Sequence, residues 1–157
     1  MSFTLSHTGV VVDNLAVAMD RYSKRLGLEW AAPVENRAIY RADDGDHEVA
    51  LGVTYSAGTG HHVELIEQKQ GSLFEAPDGF RAHHLGFWVD DLQAATDELV
   101  RDGHRMMFYN FDAEGKVYGC SFLKPPDGGL LIELLDERRR PDVEAWCLGG
   151  ALGSRSF

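Results

Sequence analysis

Two histidines and two glutamates of this chain have the chemistry to bind one metal ion together: His7, Glu64, His84 and Glu133. The histidines begin two apolar runs 77 residues apart, and each glutamate lies within another apolar run. A carboxylate that faces a sheet interior costs several kcal/mol or shifts its pKa, so it normally has a cation or a hydrogen-bond donor as partner. Two imidazoles and two carboxylates suit a divalent transition metal with one or two positions left for water or substrate.

Each of these residues also has an ordinary interpretation. A histidine at the start of a strand is more often a surface or hydrogen-bonding residue, and a glutamate within a strand can face solvent on an open sheet. The matching positions of all four residues favour the shared metal site. His62, which shares a strand face with Glu64, is the best substitute ligand.

The positions match because the chain contains an internal repeat. Residues 7–15 (HTGVVVDNL) align with residues 84–92 (HLGFWVDDL), and residues 63–67 (VELIE) align with 132–136 (IELLD). We therefore predict a tandem duplication, with a first module at 1–75, a second module at 80–140 and a C-terminal tail at 141–157.

Each module is expected to have the order β-α-β-β-β. A short apolar strand comes first, then an Asp or Asn that can cap a helix, then an amphipathic helix that stops at Gly27 or Gly103. Only strand signals follow the helix. The predicted strands lie at 8–12, 38–41, 48–55 and 62–67 in the first module and at 85–89, 105–109, 119–123 and 130–135 in the second.

Composition and charge exclude several classes of function. A net charge of −10 argues against a nucleic-acid partner or an anionic membrane surface, and no apolar run reaches the roughly 20 residues that span a bilayer. The N-terminus lacks the features of a signal peptide, and Cys120 and Cys147 form no metal or redox motif. We expect a cytoplasmic protein with two reduced thiols.

Four motifs resemble the vicinal oxygen chelate superfamily, which includes glyoxalase I, methylmalonyl-CoA epimerase, extradiol dioxygenases and bleomycin-resistance proteins. They are residues 6–15 (SHTGVVVDNL), 62–67 (HVELIE), 83–92 (HHLGFWVDDL) and 126–135 (PDGGLLIELL). The resemblance implies an α+β fold of two tandem βαβββ modules, whose curled mixed sheets enclose a metal-containing cleft. It also implies that His7, Glu64, His84 and Glu133 occupy the four metal positions.

The ligand set distinguishes the branches of this superfamily. A His/Glu/His/Glu set is most similar to that of bacterial glyoxalase I, whereas the epimerases usually have Gln where this chain has Glu64. Extradiol dioxygenases typically use two His and one Glu for iron, and bleomycin-resistance proteins generally lack the set. Glyoxalase I enzymes tend to carry a glutathione-binding Arg at the position of Val11, so glutathione recognition is in doubt.

From the ligand set we expect a metal-dependent isomerase, epimerase or lyase that acts through a metal-bound enolate or enediolate on a bulky carbonyl substrate. Glu133 and Glu64 are the candidate catalytic bases, and Glu48 is a weaker one. The alternatives are an Fe(II) extradiol ring-cleaving dioxygenase and a non-catalytic ligand-sequestering protein. The cofactor is one divalent ion (Ni, Co, Mn, Fe or Zn). A homodimer is expected, and the cleft could form within a chain or across the dimer.

Four further residues are predicted to bind the substrate: Val11, Trp88, Phe108 and Tyr118. Val11 and Trp88 share strand parity with the two histidines, and the aromatic residues add bulk. The alternative is that each of these side chains fills the core. Without a visible anchor for a small anion, we expect a substrate larger and more apolar than a glutathione hemithioacetal.

Overall fold

The computed structural model describes residues 2–69, 71–75 and 82–152. In these residues the predicted order β-α-β-β-β occurs twice and is followed by a 3-10 turn (Glu137–Arg139) and a third helix. The first module contains β1 (Phe3–Val12), α1 (Leu15–Leu26), β2 (Val34–Ala42), β3 (Gly45–Tyr55) and β4 (His62–Glu67). The remaining elements are β5 (Ala82–Val89), α2 (Leu92–Arg101), β6 (Arg105–Phe111), β7 (Val117–Lys124), β8 (Leu131–Asp136) and α3 (Arg140–Cys147).

The two long helices begin at equivalent positions of the repeat. The Asn14 side chain accepts a hydrogen bond from the Val17 backbone N–H, and the Asp91 side chain accepts one from Ala94. These side chains satisfy N–H groups that have no partner within the first turn of a helix. The predicted N-caps are therefore confirmed.

The eight strands form a closed barrel in the order β1-β4-β3-β2-β6-β7-β8-β5. Within each module the first and last strands pair in parallel, β1 with β4 and β5 with β8. The modules join through the antiparallel pairs β1–β5 and β2–β6. The expected α+β architecture of two curled βαβββ modules is confirmed, and it places the first strands of both modules side by side.

The residues predicted as a tail include a helix that packs into the core. Trp146 of α3 is fully buried, its Nε1 donates to the Ala32 carbonyl over 2.9 Å, and its ring lies 5.5 Å from that of Tyr55 inside the barrel. Residues 153–157 of this tail and residues 76–81 between the modules lie outside the described residues. Helix α3 is thus an integral part of the described fold.

Both cysteines are buried and neither is in a disulfide. Burial raises the pKa of Cys147 to about 11 and raises that of Cys120 well above its usual range. These thiols are therefore protonated near neutral pH, which makes them poor nucleophiles. None of the helices among the described residues is long and apolar enough to cross a bilayer.

Candidate metal centre

The four predicted ligands meet at one point inside the barrel. His7 Nε2 lies 2.9 Å from His84 Nε2, 2.9 Å from Glu133 Oε2 and 3.4 Å from Glu64 Oε2. His84 Nε2 lies 3.0 Å from Glu64 Oε2 and 3.2 Å from Glu133 Oε2. All four ligand atoms lie within 4.8 Å of one another, and all four residues are buried. Because each module supplies one His and one Glu, the cluster forms within a single chain.

Strand register explains why the four side chains converge. In the β1–β5 pair His7 lies opposite Gly86, and Gly9 lies opposite His84. The same two glycines pair with the glutamates, since Gly9 lies opposite Glu64 and Gly86 opposite Glu133. The duplication therefore brings two equivalent His/Glu pairs to a common centre.

The cluster fits a divalent metal ion. Donors about 2.1 Å from one ion lie about 3.0 Å apart at a right angle and about 3.4 Å apart at the tetrahedral angle. The five distances, from 2.9 to 3.4 Å, lie close to these two values. Glu64 Oε2 and Glu133 Oε2 are buried, and their polar neighbours within the described residues are the Nε2 atoms of His7 and His84 at 2.9 to 3.4 Å. Buried anionic oxygens of this kind require a cation.

Both histidines are oriented through their second ring nitrogen. His7 Nδ1 lies 3.1 Å from Ser6 Oγ and 3.1 Å from the Tyr55 hydroxyl, and His84 Nδ1 lies 2.9 Å from His83 Nδ1. Such contacts fix the ring so that Nε2 faces the cluster. Sequence reasoning missed His83, because regular strand alternation points it away from His84. The signal available was the consecutive histidine pair.

In the metal-free protein, the carboxylates control the protonation of the two histidines. Burial lowers the pKa of His7, but Glu64 and Glu133 raise it more strongly, to about 10, and they also raise the pKa of His84. Burial favours the neutral carboxyls, but the two histidines hold the pKa of both glutamates below its usual range. Burial and the neighbouring His84 lower the pKa of His83 to about 4, so its ring is neutral and can accept a hydrogen bond from His84 Nδ1. A bound metal would replace the protons on the histidine Nε2 atoms.

A small cavity adjoins the cluster, with Glu64, His84 and Glu133 in its wall. Aliphatic and aromatic side chains make up much of the remaining wall. Arg139 also lines the cavity, so the expectation that no cationic anchor is present is wrong. Arg139 lies in the short turn that follows β8, where the direction of a side chain follows no periodicity.

The structure does not bring the four predicted substrate-binding residues together around this cavity. Val11, Trp88 and Phe108 are buried in the barrel, yet none of them lines this cavity. Tyr118 is 53% exposed and does not line this cavity, so its role in substrate binding stays a prediction. The positive φ of 76° at Gly119 and a register shift between β6 and β7 interrupt the alternation that would turn Tyr118 inward.

The alternative base Glu48 lies on the exposed face of β3. It does not line the cavity. Glu64 and Glu133 are therefore the carboxylates that the structure places beside the cavity.

Comparisons with known proteins identify the family of this chain. Residues 6–123 match the family model of the Glyoxalase/Bleomycin resistance protein/Dioxygenase superfamily. The ethylmalonyl-CoA/methylmalonyl-CoA epimerase of Cereibacter sphaeroides is 31% identical over 140 residues, which cover 83% of this chain and 95% of that protein.

Solved structures with the same fold include further epimerases. The methylmalonyl-CoA epimerase of Mycobacterium tuberculosis has a TM-score of 0.59 at 24% identity, and the match covers 85% of this chain and 87% of that protein's chain. A Streptomyces coelicolor methylmalonyl-CoA epimerase in complex with 2-nitronate-propionyl-CoA has a TM-score of 0.61 at 21% identity, with 86% and 95% coverage. The chain therefore belongs to the glyoxalase/bleomycin resistance protein/dioxygenase superfamily, also called the vicinal oxygen chelate superfamily.

Proposed function

We propose that this protein is a metal-dependent epimerase, which removes the α-proton of a carbonyl compound and returns a proton to the opposite face. The observation that carries the proposal is the convergence of two buried carboxylate oxygens, Glu64 Oε2 and Glu133 Oε2, on the Nε2 atoms of His7 and His84. The similarity to an epimerase over most of the chain favours epimerisation over a lyase reaction.

His7, Glu64, His84 and Glu133 would hold the ion, and the mixed nitrogen and oxygen donors suit Ni, Co, Mn, Fe or Zn. A divalent ion at this position would supply Lewis-acid polarisation of the substrate carbonyl, which stabilises the negative charge that develops when the α-proton leaves.

The two glutamates are the proposed proton carriers. Each directs Oε2 to the cluster, which leaves Oε1 to take a proton from the substrate carbon. Epimerisation needs one group to remove a proton and another to deliver one on the opposite face. Glu64 on β4 and Glu133 on β8 occupy equivalent places in the two modules, so the repeat supplies one carboxylate for each step.

The remaining cavity walls suit the acyl portion of a substrate. Tyr40, Phe122 and Leu135 provide apolar surface beside the cluster. We propose an acyl thioester as the substrate, in line with the name of the Cereibacter relative. The homodimer and the cytoplasmic location expected from the sequence remain predictions.

The test is hydrogen exchange at the α-carbon. The protein loaded with Co²⁺ is incubated with methylmalonyl-CoA in D₂O, and the α-proton signal is followed by NMR. We expect deuterium to replace this proton, with the rate reduced about a hundredfold or more by Glu133→Gln. Glu98→Gln, on the exposed face of α2, is the matched control and should leave the rate unchanged.

Two results would contradict the proposal and identify an alternative. Oxygen consumption with a catechol by the Fe²⁺-loaded protein would indicate a ring-cleaving dioxygenase. Tight binding of the thioester with no exchange of its α-proton, in the presence of any of the five metals, would indicate a sequestering protein.

A further inference from the structure

The cavity beside the metal ligands is too small for the acyl group of the proposed substrate. Its volume is about 30 Å³, which is room for about two water molecules. Sites that bind small molecules usually have volumes of about 300–1,000 Å³. Because Glu64, His84 and Glu133 line this cavity, a substrate has to enter it to meet the cluster. Part of the cavity wall must therefore move before an acyl thioester can bind.

Phe74 is the part of the wall that the barrel supports least. Apart from Arg139, which lies in the 3-10 turn before α3, every other residue described in the wall belongs to a strand. Phe74 lies in residues 71–75, a stretch without helix or strand between β4 and β5. Its N–H donates to Ser72 Oγ over 3.2 Å, and the Ser72 N–H donates to the Lys69 carbonyl over 3.0 Å. Both bonds are local, and neither belongs to the ladder of a sheet.

The Phe74 ring nevertheless lies deep inside the barrel. The residue is only 3% exposed, and four aromatic rings surround it at centre-to-centre distances of 5.4–5.5 Å. They belong to Tyr40, His83, Phe108 and Phe122. These distances are ordinary for packed aromatic pairs. Withdrawal of the Phe74 ring would therefore leave an enclosed site of about the size of a phenyl group, with walls made largely of other rings.

This space adjoins the metal centre through two shared neighbours. The Phe122 ring lies 5.5 Å from that of Phe74 and 5.2 Å from that of His84. The His83 ring lies 5.4 Å from that of Phe74, and its Nδ1 lies 2.9 Å from Nδ1 of His84. The Phe74 ring is thus one side chain away from a predicted metal ligand. The acyl chain of a carbonyl compound bound at the cluster would extend into this region.

We propose that the Phe74 ring occupies an acyl subsite in the free protein and that the substrate displaces it. The free energy needed to take a buried phenyl ring out of the barrel lowers the affinity for every substrate. An apolar acyl group of about phenyl size refills the space and binds more tightly than a short one. This inference rests on the proposed function, because the occupant is the acyl chain of the proposed thioester, and it adds that the free site is closed.

Fluorine NMR tests the movement of the ring. 4-Fluorophenylalanine is placed at position 74 of the Zn²⁺-loaded protein, and 3-phenylpropionyl N-acetylcysteamine thioester is added as the probe. Without probe, the fluorine signal should be the same in H₂O and D₂O, because the ring is buried. With saturating probe, the signal should move and should differ between the two solvents, as it does for an exposed ring.

Calorimetry tests whether the ring competes with the acyl group. Kd is measured for the propionyl and the 3-phenylpropionyl thioesters of N-acetylcysteamine with the Zn²⁺-loaded protein. Phe74→Ala should bind both probes about tenfold or more tightly than the unmodified protein, because no ring has to leave. The gain should be similar for the two probes, since each displaces the same ring. If Phe74 only stabilised the fold, the variant would bind the probes equally well or more weakly.

Two further variants separate the subsite from general effects on folding. Phe74→Leu keeps an apolar side chain of smaller volume, and its affinities should lie between those of Phe74→Ala and the unmodified protein. Phe87→Ala is the matched control, because Phe87 packs against a separate core cluster that includes Leu92 and Leu134. It should lower stability without tightening the binding of either probe.

The other results would overturn the inference. Binding of the probe with an unchanged fluorine signal would show that the ring stays in place. A gain confined to the phenylpropionyl probe, or binding by Phe74→Ala alone, would mean that Phe74 is a fixed wall. Absence of binding to both proteins would mean that acyl groups do not enter this space.

The fate of the proposed reaction is read separately. If the ring moves but no α-proton exchange is seen, the subsite stands and the proposed reaction fails. If exchange is seen while the ring stays in place, the reaction stands without the displacement.

Discussion

Gly9 lies directly opposite His84 across the β1–β5 pair, and the His84 ring occupies the space that a side chain at position 9 would fill. A Cβ at Gly9 would be 2.1 Å from His84 Cε1, and a Cβ at Gly86 would be 2.2 Å from His7 Cε1. Neither glycine has a positive φ. Both are therefore required for the close approach of an imidazole and not for an unusual backbone conformation.

Substitution of either glycine should disrupt the metal centre. Gly9→Ala forces the His84 ring to move, and Gly86→Ala does the same to His7, so metal content should fall well below one ion per chain. The folding cost should be about 1–3 kcal/mol, as for other overpacked positions. Metal analysis by mass spectrometry and denaturant titration measure the two effects.

Gly52→Ala is the matched control for these substitutions. Gly52 also lies in a strand without a positive φ, but the nearest atoms to its Cβ position are 3.4 Å away. It should keep full metal content. Full metal content in Gly9→Ala and Gly86→Ala would contradict the placement of the two rings.

His83 should tune metal affinity without being a ligand. Its neutral ring accepts a hydrogen bond from His84 Nδ1, which holds His84 Nε2 toward the cluster. His83→Phe keeps an aromatic ring but removes the acceptor, and it should weaken metal binding by about 10–100-fold in a chelator competition titration. His47→Phe, which removes a surface contact with Asp44, is the control and should have no effect. Unchanged affinity in His83→Phe would show that the contact does not orient His84.

Metal binding should release protons at neutral pH. The pKa of His7 is raised to about 10 in the metal-free protein, so the ring is protonated at pH 7 and the metal must displace that proton. Lower pH stabilises the protonated, metal-free site. Below pH 10, metal affinity should therefore fall by about tenfold for each unit decrease in pH and each proton that the metal displaces.

Calorimetry in two buffers checks this prediction. At about pH 7.5 the released protons are taken up by the buffer, so the observed binding enthalpy should differ between buffers of high and low ionisation enthalpy. Identical enthalpies in both buffers would mean that His7 is already neutral and that the carboxylates do not raise its pKa.

Helix α3 should contribute strongly to stability. Trp146→Ala removes a fully buried ring and the donor to the Ala32 carbonyl, so the free energy of unfolding should decrease by about 3–5 kcal/mol. Leu148→Ala, just after the helix and largely exposed, should change stability by less than about 0.5 kcal/mol. Urea titration compares the two variants. A small effect of Trp146→Ala would mean that the barrel is stable without α3.

The metal centre and the architecture could be predicted from the sequence because they depend on local periodicity and on the repeat. Strand alternation places Glu64 and Glu133 on the equivalent face of the last strand in each module. The duplication gives His7 and His84 equivalent positions on the first strands. The glycines at 9 and 86 recur in the same alignment. Each of these features follows from neighbours along one strand or from the offset between modules.

Tertiary structure alone decided the surroundings of that centre. Arg139 reaches the cavity because Gly119 leaves room for it, and Tyr118 turns outward because the β6–β7 register shifts next to that glycine. Residue 146 becomes part of the core only when α3 returns to the first module near Ala32. The positions of a turn, a bulge or a long-range packing contact do not repeat at a fixed spacing along the chain, so they cannot be predicted from residue spacing.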